Sequence, residues 1–143
     1  MSTQYVTFKL GPSRFGVSVH RVQEVVSLPE LAPVPLASDE VAGLVNLRGQ
    51  VITAIDIRPR LGLPKTDGDA NARPMLVVVQ AAGETLAVLV DEVGQVATVD
   101  EETFEPAPST LAVALRTYIT GAYKTDGPLL LLLDLDAACR TEN

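Results

Sequence analysis

Gly43-Leu-Val-Asn-Leu-Arg-Gly49, with Asp56-Ile57 seven residues beyond its last glycine, has a counterpart in Gly121-Ala-Tyr-Lys-Thr-Asp-Gly127, with Asp134-Leu135 seven residues beyond. The match continues upstream. Phe15-Gly-Val-Ser-Val-His-Arg-Val22 aligns 71 residues on with Leu86-Ala-Val-Leu-Val-Asp-Glu-Val93, and Val6–Leu10 falls on Val77–Ala81 at the same offset. Self-similarity of this kind marks a duplicated structural unit. The reading is one domain, 1–143, made of half-barrel repeats at about 5–61 and 75–138 joined by a linker at 62–74. Positions shared by the copies are expected to build the fold. Positions that differ, such as Asn46-Leu47-Arg48 against Lys124-Thr125-Asp126, are where function is sought.

The patterning within each copy is that of an all-β protein. Short runs of Val, Ile, Leu and Thr are punctuated by Gly, Pro, Asp and Asn. Strands are expected at Tyr5–Leu10, Phe15–Val19, Val22–Val26, Val51–Ile57, Met75–Gln80, Leu86–Val90, Val93–Val99 and Leu129–Leu135. Leu28–Pro35, with three prolines, reads as an irregular loop, and Asp100–Ser109 as an acidic one. Ser38 is expected to cap one helical turn leading to Gly43. Thr110–Tyr118 is expected to hold a helical turn or two, and Asp136–Arg140 to begin a terminal helix that is cut short. A glycine at the same place in both copies, Gly49 and Gly127, predicts a turn with φ > 0 or a close backbone approach.

Composition excludes several functions. A net charge of −7 and 4% aromatic content offer neither a basic face for phosphates nor platforms for base stacking. The longest purely apolar run, Leu129–Leu133, is far too short to span a bilayer, and the start of the chain lacks the pattern of a signal peptide. No nucleic-acid partner and no membrane insertion are expected. One histidine and one cysteine without ligand spacing argue against zinc, and no phosphate-cradling glycine loop is present. No cofactor is therefore expected. His20 reads as a surface or strand-edge residue. Asp56, Asp91 and Asp134 invite an acid–base reading. However, Asp56 and Asp134 are repeat equivalents, which favours a structural task in each copy, such as accepting backbone hydrogen bonds at a turn. No catalytic residue is expected. Arg48, in a turn between apolar strands, suits bidentate recognition of a partner carboxylate. The alternative is an ordinary surface arginine paired with Asp39 or Glu40.

The order of these blocks resembles a known family. Phe15-Gly-Val-x-Val-x-x-Val-Gln-Glu-Val25, Pro33-x-Pro35, Val41-x-Gly-Leu-Val-Asn-Leu-Arg-Gly49, Val51-Ile-x-x-Ile-Asp-Ile-Arg58 and Leu61-Gly-Leu63 are similar to CheW, the coupling protein of bacterial chemotaxis. Leu89-Val-Asp-Glu-Val93, Tyr118-Ile-x-Gly121 and Leu132-Leu-Asp-Leu135 continue the likeness, which runs from about Gln4 to Cys139. The resemblance implies two SH3-like five-stranded β-barrels around a shared hydrophobic core. It also implies a non-enzymatic, cytoplasmic adaptor at receptor arrays. Such an adaptor bridges the tips of methyl-accepting chemoreceptors to the regulatory domain of the histidine kinase CheA. An adaptor of a non-flagellar array, governing pilus motility or another chemosensory pathway, is the alternative. Carried over by position, the partner-binding residues are Val22, Glu24, Gly43, Asn46 and Arg48, with Met75 and Leu76 on the groove wall. Thr53-Ala54 replaces the Pro-Val usual before Ile-Asp, and Met75 and Leu76 stand where smaller β-branched residues are common. The resemblance also implies that the terminal helix of longer members is short or absent here.

Overall fold

The structure is a computed structural model that describes residues 2–35, 37, 39–64, 74–125 and 127–140. Its strands are β1 (Ser2–Leu10), β2 (Ser13–Ser18), β3 (Val22–Ser27), β4 (Val41–Leu47), β5 (Gln50–Ile55), β6 (Met75–Ala81), β7 (Glu84–Val90), β8 (Glu92–Val93), β9 (Ala97–Asp100), β10 (Ile119–Tyr123) and β11 (Leu130–Leu133). Three short helices accompany them: α1 (Arg58–Leu61), α2 (Val113–Arg116) and α3 (Leu135–Cys139). One sheet has the order β10-β11-β2-β1-β8, with β9 also on β1; the other has the order β3-β6-β7-β5-β4.

Each sheet is built from both sequence copies. β5 of the first copy lies parallel to β7 of the second, with Thr53 opposite Leu86. β11 of the second copy lies parallel to β2 of the first, with Leu131 opposite Phe15. These are the same pairing with the copies exchanged. Finer features recur as well. The register shifts between Val41 and Gly43 in β4 and between Ile119 and Gly121 in β10. The amide of Asp56 donates to the Glu40 carbonyl at 2.7 Å, and that of Asp134 to the Tyr118 carbonyl at 2.7 Å. Asp56 and Asp134 thus do hold equivalent backbone positions, each just past the end of a strand, β5 in one sheet and β11 in the other.

Alternating side chains give three apolar clusters. The largest lies between the sheets and includes Phe8, Phe15, Val17, Ile55, Val77, Val79, Val88, Leu131 and Leu133. A second, on the far face of the five-stranded sheet, contains Val45, Ile52, Ala54, Leu76, Val78 and Ala87. A third, on the far face of the six-stranded sheet, contains Val99, Tyr123, Leu130 and Leu132. Strands such as β6 are apolar on both faces because they sit between two clusters; only Gln80 in β6 is exposed. The all-β class and the shared core are as expected, although each sheet takes strands from both repeats rather than from 5–61 or 75–138 alone. Among the described residues, however, neither sheet closes into a ring of backbone hydrogen bonds.

The elements differ from expectation in places that have physical causes. Val93–Val99 is two short strands, because Thr7 is buried and its hydroxyl needs a partner. It donates to the Gln95 carbonyl at 2.6 Å, and the Gly94 amide donates to the Thr7 carbonyl at 2.8 Å. That pulls Gly94–Val96 out of the ladder. The strand expected to run to Leu135 stops at Leu133, because Asp134 caps α3: its Oδ1 accepts from the Ala137 amide at 3.2 Å. The terminal helix is therefore present and short. α1 starts at a proline-containing turn and ends at Gly62, whose φ is +72°. The cap expected of Ser38, and most of the linker at 62–74, lie outside the described residues.

Candidate functional site

The seven residues proposed to bind partners all fall on the five-stranded sheet. Val22 and Glu24 are on β3, Gly43 and Asn46 on β4, Arg48 in the β4–β5 turn, and Met75 and Leu76 on β6. β3 and β4 are the opposite edges of that sheet. The sheet curls so strongly that Arg48 Nη1 lies 2.7 Å from Glu24 Oε2. Side chains therefore span the gap that backbone bonds leave open. Arg48 makes this contact with its side chain still 82% exposed, whereas Glu24 is only 17% exposed. Arg48 does pair within the chain, as the ordinary-arginine alternative supposed, but its acid is Glu24 rather than Asp39 or Glu40. Glu40 is engaged by the Arg60 guanidinium, which also donates to the Ala138 carbonyl at 2.9 Å.

Local sequence explains how Arg48 is presented. Leu47 pairs with Gln50 across the hairpin, leaving a two-residue loop of Arg48 and Gly49. Their φ values are +55° and +84°, those of a type I′ turn, which matches the right-handed twist of its strands. Asn-Gly is the usual occupant. An arginine in the left-handed region costs roughly 1 kcal/mol, so it is held there by the surrounding ladder. The Asn46 Oδ1 accepts from the Gly49 amide at 3.0 Å and braces the loop. Gly127 also has positive φ, +110°, and a Cβ at either Gly49 or Gly127 would meet nothing within 4 Å. Backbone conformation, rather than a close approach, requires both glycines.

Two of the seven residues are corrected by their surroundings. Leu76 is 0% exposed and belongs to the apolar cluster on the far face of the sheet. Gly43 is buried, and a Cβ there would lie 2.8 Å from the Ala32 carbonyl oxygen. Neither has surface to offer; both shape the sheet from within. The alternation of β6 hides Leu76, and the Leu28–Pro35 loop crosses over Gly43, bridging Ala32 to Leu44. Val22 and Met75 are half-buried and pack on the core between the sheets. Asn46 is exposed. Opposite it, Val51 is 64% exposed, an apolar side chain beside Asn46 and Arg48. The alternation of Val51 against buried Ile52 and Ala54 was the signal for it.

The carboxylates singled out above are structural. Asp56 and Asp91 converge on Arg58, the last residue of the Asp-Ile-Arg motif, to which the sequence assigned no role. The Arg58 side chain is 7% exposed, with Nε 3.0 Å from Asp56 Oδ1 and Nη1 2.6 Å from Asp91 Oδ1. Asp91 Oδ2 also accepts from the Gly11 amide at 2.7 Å, tying the β1–β2 turn of one sheet to the other. The buried guanidinium lies between the two carboxylates, so each of the three groups has a partner within the protein. Asp134 caps α3 elsewhere. His20 is exposed in a single 3₁₀ turn after β2, its amide bound by Ser18 Oγ at 3.2 Å. Asp136 accepts from the Ala82 amide at 2.9 Å and from Arg21; the Ala82 bond first, then Arg21, holds its carboxyl below the usual range. Burial pushes the Cys139 thiol up to about 12.

The fold is thus two β-sheets interlocked around a common core, with the ion pair of Arg48 and Glu24 bridging the open edges of one of them. The family model for the CheW-like domain matches residues 4–142. A curated relative, the chemotaxis protein CheW of Rhizobium meliloti, is 27% identical over 97% of this chain and 88% of its own. CheW of Bacillus subtilis is 27% identical over 96% of this chain and 87% of its own. The crystal structure of the scaffolding protein TtCheW from Thermoanaerobacter tengcongensis superposes with a TM-score of 0.85 at 26% identity, covering 99% of this chain and 94% of that one. The chain belongs to the CheW-like domain family, a family of chemotaxis scaffolds rather than enzymes.

Proposed function

We propose that this chain couples methyl-accepting chemoreceptors to the histidine kinase CheA, working in the cytoplasm at receptor arrays. The observation that carries this reading is the presentation of Arg48. A charged side chain, four-fifths exposed, stands on a turn whose backbone disfavours arginine, beside exposed Asn46 and Val51. Strain of that kind persists where the surrounding structure over-determines it, and it clusters at functional sites. Glu24, Val22 and Met75 complete the surface along β3 and the start of β6, with Gly43 and Leu76 supporting it from beneath. Apolar side chains around one guanidinium suit a partner helix with an apolar stripe and a carboxylate. Such an interface is at or below about 1,200 Å² in total and individually weak, so strength comes from many copies held in an array.

The test is co-sedimentation with receptor-bearing membranes and kinase, together with kinase activation. Arg48→Glu is expected to lose roughly 2–5 kcal/mol of coupling where the contact is desolvated, and to lower the melting temperature as well because it sets a second carboxylate beside Glu24. The double reversal Arg48→Glu/Glu24→Arg restores the internal pair without restoring the surface charge at the turn. Coupling should stay lost in it. Recovery of coupling by the double reversal would show that Arg48 only closes the sheet.

A further inference from the structure

The exchange of strands between copies poses a problem that apolar residues do not solve. β2 and β7 are repeat equivalents, as are β5 and β11. A chain in which each copy closed on itself, β5 beside β2 and β11 beside β7, would bury the same kinds of side chain: Phe15 and Leu86 exchange places, as do Val17 and Val88. Hydrophobic burial is non-directional and does not choose between these arrangements. Something else must.

Charge does distinguish them. After β5 the first copy carries Arg58; at the equivalent place after β11 the second carries Asp136. After β2 the first copy carries His20-Arg21; at the equivalent place after β7 the second carries Asp91-Glu92. In the observed fold the contacts between these segments are Arg58 with Asp91, at 2.6 Å, and Asp136 with Arg21. Both join opposite charges, in opposite order. If each copy closed on itself, Arg58 would face His20-Arg21, and Asp136 would face Asp91-Glu92. Both contacts would become repulsive. The cost would be felt most at Arg58, whose side chain is 7% exposed and cannot turn to solvent.

We propose that these two inverted ion pairs select the interlocked topology, by making each copy electrostatically incompatible with itself and compatible with the other. Like-charge juxtaposition against the wrong partner is a recognised means of specificity between chains. Here it acts within one chain, and it fixes which strands share a sheet with the surface around Arg48 and Glu24.

The test compares two double variants of identical composition, in a full-length Cys139→Ala background. Arg58→Asp/Asp91→Arg reverses one pair and keeps the inter-copy attraction. Arg58→Asp/Asp136→Arg makes both inter-copy contacts repulsive and both self-contacts attractive. Topology is read by disulfide trapping during refolding. Ser27 is opposite Met75 in the observed fold. In a self-closed copy its partner is Gln4, the repeat equivalent of Met75. With native charges, and in Arg58→Asp/Asp91→Arg, the Ser27→Cys/Met75→Cys pair should cross-link and the Ser27→Cys/Gln4→Cys pair should not. In Arg58→Asp/Asp136→Arg the ratio should move toward the Gln4 pair by about tenfold or more. An unchanged ratio in that variant would overturn the proposal. With native charges, equal cross-linking of both pairs would overturn it too, because the charges would then support folding without selecting topology. Arg21→Asp/Asp91→Arg makes the same exchange while leaving Arg58 on Asp56, and must shift the ratio in the same direction.

Discussion

Gly43 and Gly121 occupy equivalent places in the two sheets, and each lies directly beneath a crossing segment. A Cβ on Gly43 would sit 2.8 Å from the Ala32 carbonyl oxygen and 2.9 Å from Leu31 Cβ. One on Gly121 would sit 2.1 Å from the Phe104 ring and 2.9 Å from the Glu105 carbonyl oxygen. Each crossing segment is bonded to the residue after the glycine. Ala32 and Leu44 exchange hydrogen bonds at 2.9 and 2.8 Å, and Glu105 and Ala122 exchange bonds at 2.9 and 2.8 Å. The glycines are thus the points where a loop closes over the end of each sheet.

Gly43→Ala and Gly121→Ala should each destabilise the protein by about 1–3 kcal/mol, the usual range for overpacking against backbone. Urea denaturation measures this. The midpoint should fall with little change in slope, since the exposed surface is nearly the same. Amide exchange should quicken at Leu44 in the first variant and at Ala122 in the second. A midpoint unchanged in both would mean the loops yield freely and the close approach is incidental.

The type I′ turn separates stability from binding at Arg48. Arg48→Asn and Arg48→Ala both remove the ion pair with Glu24. Asn tolerates the left-handed region and Ala does not, so the Asn variant should be more stable by about 1 kcal/mol. Both should lose receptor and kinase coupling to the same degree. Thermal melts and co-sedimentation of the two variants side by side measure this. Equal stabilities would show that the loop relaxes to another turn once arginine is gone.

Much of the fold could be read because the duplication doubled each signal. The glycines, the Asp-Ile and Asp-Leu steps and the strand runs each occur twice, and the structure gives both copies the same pairings. Exchange of strands between the copies was not legible, because equivalent strands carry the same apolar pattern. Only the charges that follow them differ. The task of Arg58, although the residue ends a recognised motif, was not legible for a related reason. A guanidinium between two carboxylates depends on Asp91, 33 residues away, and no local spacing encodes that contact. Leu76 was misplaced because β6 is apolar on both faces, so alternation gave no hint of which residues lie at the surface. Arg48 and Glu24 lie on opposite edges of one sheet, and their meeting depends on its curl.

Cys139 should be inert in the folded protein. It is 1% exposed in the core between the sheets, and desolvation holds its thiol up to about 12. The thiolate is the reactive form, so labelling by a maleimide at pH 8 should require opening of α3 or global unfolding. The labelling rate should rise with urea in parallel with the unfolded fraction. Rapid labelling of the native protein would place Cys139 at the surface and contradict its packing.

Asp136 gives the protein an acid-sensitive contact. The Ala82 amide, then the Arg21 guanidinium, lowers its carboxyl below the unfolded value. A carboxyl of lowered pKa binds its proton less readily in the folded state than in the unfolded one. Its contribution to stability is therefore complete above the unfolded value, near 4, and fades as pH falls through the folded one. The contribution is modest, because the side chain is 51% exposed and solvent screens the pair. Asp136→Asn removes the titration. It should lower stability slightly at pH 7 and flatten the decline between about pH 5 and pH 2 relative to the parent. Chemical denaturation across that range, fitted for both proteins, supplies the comparison. Parallel acid limbs would mean that Asp136 titrates alike in folded and unfolded chains, and that the hold of Ala82 and Arg21 on its carboxylate does not persist in solution.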